Sequence, residues 1–167
     1  MTKFTALISG ILIAAGLSAP VHAQQALKPE ESARLKVEVN TAMQAYIDAF
    51  NRNDSKFIGH VTKSNPSVTV GPRGVTTQTP DEVEKGFANS AESLAKAGWV
   101  KTETTRYDIC VLNPTTAWFD GRFARMRKDG SVISQHAITY FFTKGSDGWK
   151  MFANFGHDIN KVVTYKD

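Results

Sequence analysis

The 167-residue chain has 20 basic and 16 acidic side chains, a net charge of +4 at pH 7, and 41% hydrophobic residues. This mild positive charge does not indicate nucleic-acid binding, which usually requires Lys and Arg clustered on one face. The single cysteine, Cys110, excludes an internal disulfide, so the fold must depend on a hydrophobic core.

The first 23 residues have the three parts of a secretory signal peptide. Lys3 supplies the positive charge, residues 4–17 form an uncharged and largely apolar run, and Val21-His22-Ala23 provides a small-residue cleavage site. A membrane-spanning helix needs about 20 apolar residues, so this run is too short to be an anchor. We therefore expect a periplasmic or secreted protein that has no membrane attachment after cleavage.

Helical patterns come next in the chain. Apolar residues recur every three or four positions over residues 29–51 and predict a first helix. A short second helix is expected over residues 55–61, followed by a strand at residues 67–70 and a polar loop. Residues 79–82 (TPDE) then have the capping box and early proline of a helix start, and Gly98 closes this third helix.

The rest of the chain predicts consecutive antiparallel strands, with Asp129-Gly130 as a tight hairpin signal. The four expected strands cover residues 100–112, 116–128, 131–144 and 149–159. Helices followed by such a run of strands indicate an α+β domain, whose helices cover one face of a curved sheet. We expect this domain over residues 31–160, with tails at residues 24–30 and 161–167.

Three short sequences occur at informative places in this order of elements. Residues 49–54 (AFNRND) join the first two helices, residues 129–130 (DG) follow the strand that contains Ala117-Trp118, and residues 147–151 (DGWKM) open the last strand. With the order of elements, they resemble the nuclear transport factor 2-like (NTF2-like) superfamily, in its SnoaL-like and ketosteroid-isomerase-like branch. The resemblance covers residues 31–160. With the signal peptide, it suggests an exported bacterial member of this superfamily.

The resemblance implies an NTF2-like, cystatin-like cone in which a curved, mainly antiparallel sheet packs against about three helices. It also implies a pocket between the sheet and the helices, and a homodimer formed through the outer sheet face. It does not imply one activity, because this fold carries several unrelated functions.

Asp120 and Arg122 are two residues apart on one expected strand, so they point to the same face. If that face lines the pocket, Asp120 is the best carboxylate for a general base, and Arg122 holds it ionised or binds an anionic substrate. If the face points outward, the two residues form a solvated or interface ion pair.

His136 and His157 each lie among apolar residues on a strand face. Each is either a hydrogen-bonded structural residue or a proton-transfer group that faces a cavity, and the resemblance favours a pocket-facing His157. Tyr46 lies on the apolar stripe of the first helix, either as a core residue or, as the resemblance implies, as a donor to an oxyanion. His60, near the end of the short second helix, is expected at the surface or in a cap.

No complete catalytic set transfers from the family. Ketosteroid isomerases that resemble this fold carry an aspartate on the strand after the second helix, whereas residues 67–70 (SVTV) contain no carboxylate. No glycine-rich loop opens a helix after a strand, so a nucleotide cofactor is not expected. The three histidines outside the signal peptide lie on different elements without an H-x-H pair, and no metal is expected.

We therefore expect a small, largely apolar ligand in the cone, bound without a cofactor. The aromatic residues expected to line the pocket are Trp99, Tyr107 and Phe155. One alternative is a cofactor-independent isomerase, dehydratase or cyclase that uses Asp120 or His157 as its base. The other is a non-catalytic dimeric interaction module.

Overall fold

The computed structural model describes residues 26–71 and 74–161. The predicted signal peptide, residues 1–23, lies outside these ranges. Within them, no helix combines the length and the apolar character that crossing a membrane requires.

The three predicted helices are present, but the second is an α-helix over only part of its predicted length. Helix α1 spans Pro29–Asn51, α2 spans Ser55–Phe57, and α3 spans Pro80–Lys96. The chain continues from α2 as a π-helix over Ile58–Thr62, which we call the π-turn. The prediction of one α-helix over residues 55–61 was therefore wrong after Phe57, since an amphipathic pattern does not distinguish the two helical forms over so few residues.

Six strands form one open sheet in the order β2-β1-β6-β5-β4-β3. Their bounds are Lys63–Gly71 (β1), Gly74–Gln78 (β2), Trp99–Asn113 (β3), Thr116–Arg127 (β4), Val132–Gly145 (β5) and Gly148–His157 (β6). All neighbours are antiparallel except β1 and β6. Strand β2 replaces the polar loop that was predicted there. Its residues Gly74 to Thr77 are exposed, so this edge strand has no buried face to produce an alternating pattern.

The sheet has an inner face, which packs against α1, and an outer face. On β4, Ala117, Phe119 and Phe123 point inward and belong to the hydrophobic core. Trp118 and Asp120 alternate with them and therefore point to the outer face. A bulge between Phe141 and Phe142 in the pairing of β5 with β6 shifts the alternation on β6.

The core joins α1, the π-turn and α3 to the inner sheet face. Its fully buried members include Leu35, Val39, Met43, Ile58, Val83, Phe119, Phe142 and Met151. The buried outer-face residues Trp118, Ala124 and Ala137 are not part of this cluster. The helices therefore cover one face of the sheet, and the described residues place none of them on the other.

Candidate functional site

A cavity of about 50 Å³ lies between α1 and the inner face of β3, β4 and β5. Its apolar lining residues are Ile47, Phe50, Phe123 and Ile138, and its polar ones are Tyr46, Thr102, Arg125, His136 and Tyr140. A space of this size holds a few water molecules or one small chemical group. Arg125 also lines a separate open groove of about 320 Å³ along α3.

Tyr46 from α1 and Tyr140 from β5 meet inside this cavity. Their ring centroids are 5.8 Å apart, and their hydroxyl groups hydrogen-bond to each other. Burial raises the pKa of Tyr46 to about 12 and raises that of Tyr140 well above its ordinary value. Both phenols therefore stay protonated at physiological pH. Because the pair shares one hydrogen bond, one hydroxyl proton remains to be donated to a ligand.

Arg125 brings a positive charge to the same place. The side chain lies near Tyr46 and Tyr140, and partial burial lowers its pKa, an effect that the two tyrosines oppose. Arginine nevertheless remains protonated in proteins. None of the ion pairs found among the described residues involves Arg125. A half-buried cation without a carboxylate partner favours an anionic group beside it.

His136 from β5 supplies an uncharged imidazole to the cavity. Partial burial lowers the pKa of His136, and the neighbouring charge of Arg125 lowers it further. The ring atom Nε2 lies 3.0 Å from Ser134 Oγ. His136 is therefore neutral at pH 7, and it is the histidine of the described residues that lies beside the tyrosine pair.

Asp120, Arg122 and His157 are separated from this cavity by the sheet. Asp120 Oδ1 accepts hydrogen bonds from Thr139 Oγ1 at 2.6 Å and from His157 Nε2 at 2.8 Å, all on the outer face. Arg122 follows Asp120 on the same face by the alternation of β4. Of the predicted catalytic residues, the structure therefore brings Tyr46 and His136 together and places the other three on the opposite side.

His157 is held at both ring nitrogens. Nε2 faces the carboxylate of Asp120, and Nδ1 lies 3.1 Å from the backbone carbonyl oxygen of Asp158. Both partners of the ring are oxygen atoms that accept hydrogen bonds. The side chains of Asp120 and His157 are only 5% and 13% exposed. With Thr139 they form a buried hydrogen-bonded group, which we call the outer cluster.

The three aromatic residues that were expected in the pocket lie elsewhere. Trp99 is buried against Phe50 at a centroid distance of 5.4 Å, and its Nε1 donates to Thr102 Oγ1. Tyr107 stacks on Phe119 at 5.2 Å and borders a different groove on the inner face. Phe155 lies on the outer face with His157. None of the three contributes to the lining of the cavity.

Sequence reasoning missed Arg125, Tyr140 and a buried lysine. Arg125 was detectable, because it lies two residues after Phe123 and so shares its inward face. Lys63, at the start of β1, is 6% exposed and its Nζ donates to Asn154 Oδ1 at 3.2 Å. Burial lowers the pKa of Lys63 to about 8. It precedes the predicted strand, so no pattern indicated that it would be buried.

Residues 37–159 match the family model described as "NTF2-like protein (DUF6841)". The chain belongs to this NTF2-like family. The predicted family and the cystatin-like α+β fold are thereby confirmed, since the match spans most of the chain. Among curated proteins, none matches this NTF2-like protein significantly.

Solved structures similar to this NTF2-like protein have the same fold. An NTF2-like protein with a cystatin-like fold from Novosphingobium aromaticivorans has a TM-score of 0.63 at 11% identity, covering 78% of this chain and 89% of that one. A cystatin-like protein of unknown function from Nostoc punctiforme has a TM-score of 0.61 at 13% identity, covering 77% and 95%. An NTF2-like superfamily protein from Salmonella enterica has a TM-score of 0.57 at 15% identity, covering 80% and 99%. At these identities the likeness concerns the fold alone.

Proposed function

We propose that this NTF2-like protein is an exported binding protein whose inner cavity takes a small, largely apolar molecule with a carboxylate or similar oxyanion. The observation that carries the proposal is the guanidinium of Arg125, which has no carboxylate partner among the described residues and lies beside the Tyr46–Tyr140 pair at the inner cavity. Export, to the periplasm or beyond, is proposed from the sequence of residues 1–23.

The lining suggests how such a ligand is held. Its oxyanion accepts hydrogen bonds from Arg125 and from the remaining hydroxyl proton of the tyrosine pair, since both are strong donors. Its apolar part lies against Phe50 and Phe123, where apolar contact adds affinity. The cavity of about 50 Å³ takes the smaller end of the molecule, and the groove along α3, which Arg125 also lines, leaves room for the rest.

The same geometry favours binding over turnover. The residues that line the cavity include no carboxylate, and Asp120, the strongest candidate for a general base, lies on the other face of the sheet. A cofactor-independent isomerase or dehydratase would therefore have to use His136 as its base. That ring is neutral at pH 7, but its Nε2 already lies at hydrogen-bond distance from Ser134.

Replacing Arg125 with Gln should selectively weaken the binding of an aromatic acid. Fluorescence titration at pH 7 with 2-naphthoate should show saturable binding to the wild-type protein. Because a hydrogen bond to a charged group contributes about 1.5–3 kcal/mol, Arg125→Gln should weaken this binding about 10- to 100-fold. Affinity for the neutral analogue 2-naphthalenemethanol should change less than about twofold.

Arg122→Gln is the matched control for this experiment. It removes the same charge from the same strand but on the outer face, so 2-naphthoate should bind this variant as it binds the wild type. Absence of saturable binding by either probe would contradict the proposed binding function. Equal weakening of the acid and the alcohol in Arg125→Gln would contradict the role given to the guanidinium.

We also propose that two copies associate through the outer sheet face. Phe141 contacts Phe152 and Phe155 there, at centroid distances of 6.0 and 5.9 Å, and these rings remain partly exposed. No described helix covers them. A two-fold contact would bury the patch of one copy against the same patch of another and would need no third partner.

Phe155→Glu should convert this dimer into a monomer. A carboxylate in the centre of an apolar contact would be buried without a partner, which costs several kcal/mol. Multi-angle light scattering should give twice the chain mass for the wild type and the single mass for the variant. The control is Val37→Glu, which changes an exposed apolar residue of α1 and should leave the dimer intact. A monomeric wild type would rule the dimer out.

A further inference from the structure

His60, Asp81 and Glu84 bring three metal-ligating side chains together outside the lining of the cavity. His60 lies in the π-turn, and the two carboxylates lie in the first turn and a half of α3. His60 Nε2 is 3.3 Å from Asp81 Oδ1 and 3.1 Å from Glu84 Oε2. All three ligand atoms lie within 4.8 Å of one another.

The backbone fixes this arrangement from two sides. Gly59 is buried, and a Cβ atom at its position would lie 2.5 Å from the carbonyl oxygen of Pro80. Only glycine permits this close approach, so the π-turn packs directly on the start of α3 and carries His60 with it. The start of α3 is itself fixed by a capping box, in which the backbone N–H of Thr79 donates to Glu82 Oε2 at 2.8 Å.

We infer that His60, Asp81 and Glu84 form a binding site for a divalent transition-metal ion such as Zn²⁺. Bonds of 2.0–2.2 Å to a tetrahedral ion place neighbouring ligand atoms roughly 3.3–3.6 Å apart. The two distances from His60 Nε2 are already close to this separation. A rotation of one carboxylate would bring the ligand oxygens of Asp81 and Glu84 to the same separation. Three protein ligands leave a fourth position for water, and an imidazole ligand selects Zn²⁺, Co²⁺ or Ni²⁺ over Ca²⁺ and Mg²⁺.

The competing explanation is a surface ion pair between a protonated His60 and the two carboxylates. The side chains of His60 and Glu84 are 38% and 39% exposed and that of Asp81 is 90% exposed, so such a pair would contribute little to stability. The close contact at Gly59 and the capping box of α3 hold the backbone of all three residues in place. This fixed arrangement favours a bound ion over a surface ion pair. A metal also stabilises the folded chain by mass action, which an ion pair does not.

Calorimetric titration of the tag-free chain with Zn²⁺ tests the inference. The wild type should bind one equivalent, and Zn²⁺ should raise its melting temperature. His60→Gln and Glu84→Gln should each weaken binding at least about 10-fold, because each removes one of three ligands. Glu92→Gln is the control: Glu92 lies on the same helix and pairs with Lys96, so Zn²⁺ affinity should be unchanged.

A variant with a second imidazole tests whether position 84 faces the proposed metal ion. Glu84→His replaces a carboxylate with a second imidazole, which should tighten Ni²⁺ and Zn²⁺ binding about 10-fold. A Zn²⁺ affinity that stays at the wild-type value in Glu84→His would show that position 84 does not face the ion. The inference is overturned if the wild type binds no Zn²⁺ at about 100 μM, or if His60→Gln and Glu84→His both bind it as the wild type does.

Discussion

Replacing Asp120 with Ala should lower the free energy of unfolding by about 2–6 kcal/mol, because it leaves two buried donors without an acceptor and each unpaired group costs about 1–3 kcal/mol. The substitution leaves His157 facing no acceptor at Nε2 and removes the acceptor of Thr139, which is 1% exposed. Urea unfolding, monitored by circular dichroism at a fixed protein concentration, measures the effect.

A double-mutant cycle with His157 assigns this effect to the outer cluster. His157→Ala alone leaves the carboxylate of Asp120 with Thr139 as its remaining donor among the observed hydrogen bonds. The double variant removes both partners of the hydrogen bond, so it should lose much less stability than the sum of the two single variants. Asp48→Ala, on an exposed position of α1, is the control and should change stability by no more than about 0.5 kcal/mol. A loss below about 1 kcal/mol for Asp120→Ala would show that the cluster does not stabilise the fold.

Lys63→Met should abolish a rise in stability of about 2 kcal/mol that the wild type shows between pH 8 and pH 10. Burial lowers the pKa of Lys63 to about 8 from its ordinary value of 10.5. Below pH 8 the lysine is charged in both states, and the folded state bears the full cost of burying the charge. Between pH 8 and 10.5 the unfolded chain binds a proton that the folded chain lacks, so stability rises with pH. Methionine cannot titrate, and its hydrophobic side chain has a similar length.

The pH window for this measurement is limited from above by the tyrosine pair. Tyr46 and Tyr140 have raised pKa values in the folded state, so above about pH 10 the unfolded chain loses phenol protons first and stability falls. The difference between wild type and Lys63→Met removes this shared contribution. Lys56→Met, at an exposed position, should show the wild-type pH dependence. An unchanged slope in Lys63→Met would contradict the assignment of the rise to Lys63.

The sequence predicted the positions of helices and strands better than it predicted which face of the sheet each side chain occupies. The spacing of apolar residues located α1 at its observed bounds, Pro29–Asn51, because one side of this helix is buried and the other is exposed to solvent. On β4 the residues from Ala117 to Ala124 are nearly all buried on both faces, so apolar pattern could show that Asp120 and Arg122 share a face but not which one. The facing of Asp120 depends on where α1 packs, which is a tertiary property.

The way distant residues come together at the two polar sites escaped prediction for a related reason. Tyr46 and Tyr140 are almost a hundred residues apart, and the position of each in its own element is that of an ordinary core residue. The ligands His60 and Asp81 come from a π-turn and a helix start that meet because Gly59 lacks a side chain. Ligand spacing along one helix or strand gives no signal for such a site, whereas the capping box of α3, a local feature, was predicted correctly.

The position of β6 in the sheet affects the order in which the strands can pair during folding. Among the described residues, β6 is the last strand of the chain, and it lies inside the sheet between β1 and β5. When the chain leaves the ribosome, N-terminus first, β1 and β5 therefore stay unjoined until β6 has been synthesised. The described sheet is complete only when residues up to 157 are free, so its pairing depends on contacts that are distant in sequence and form late.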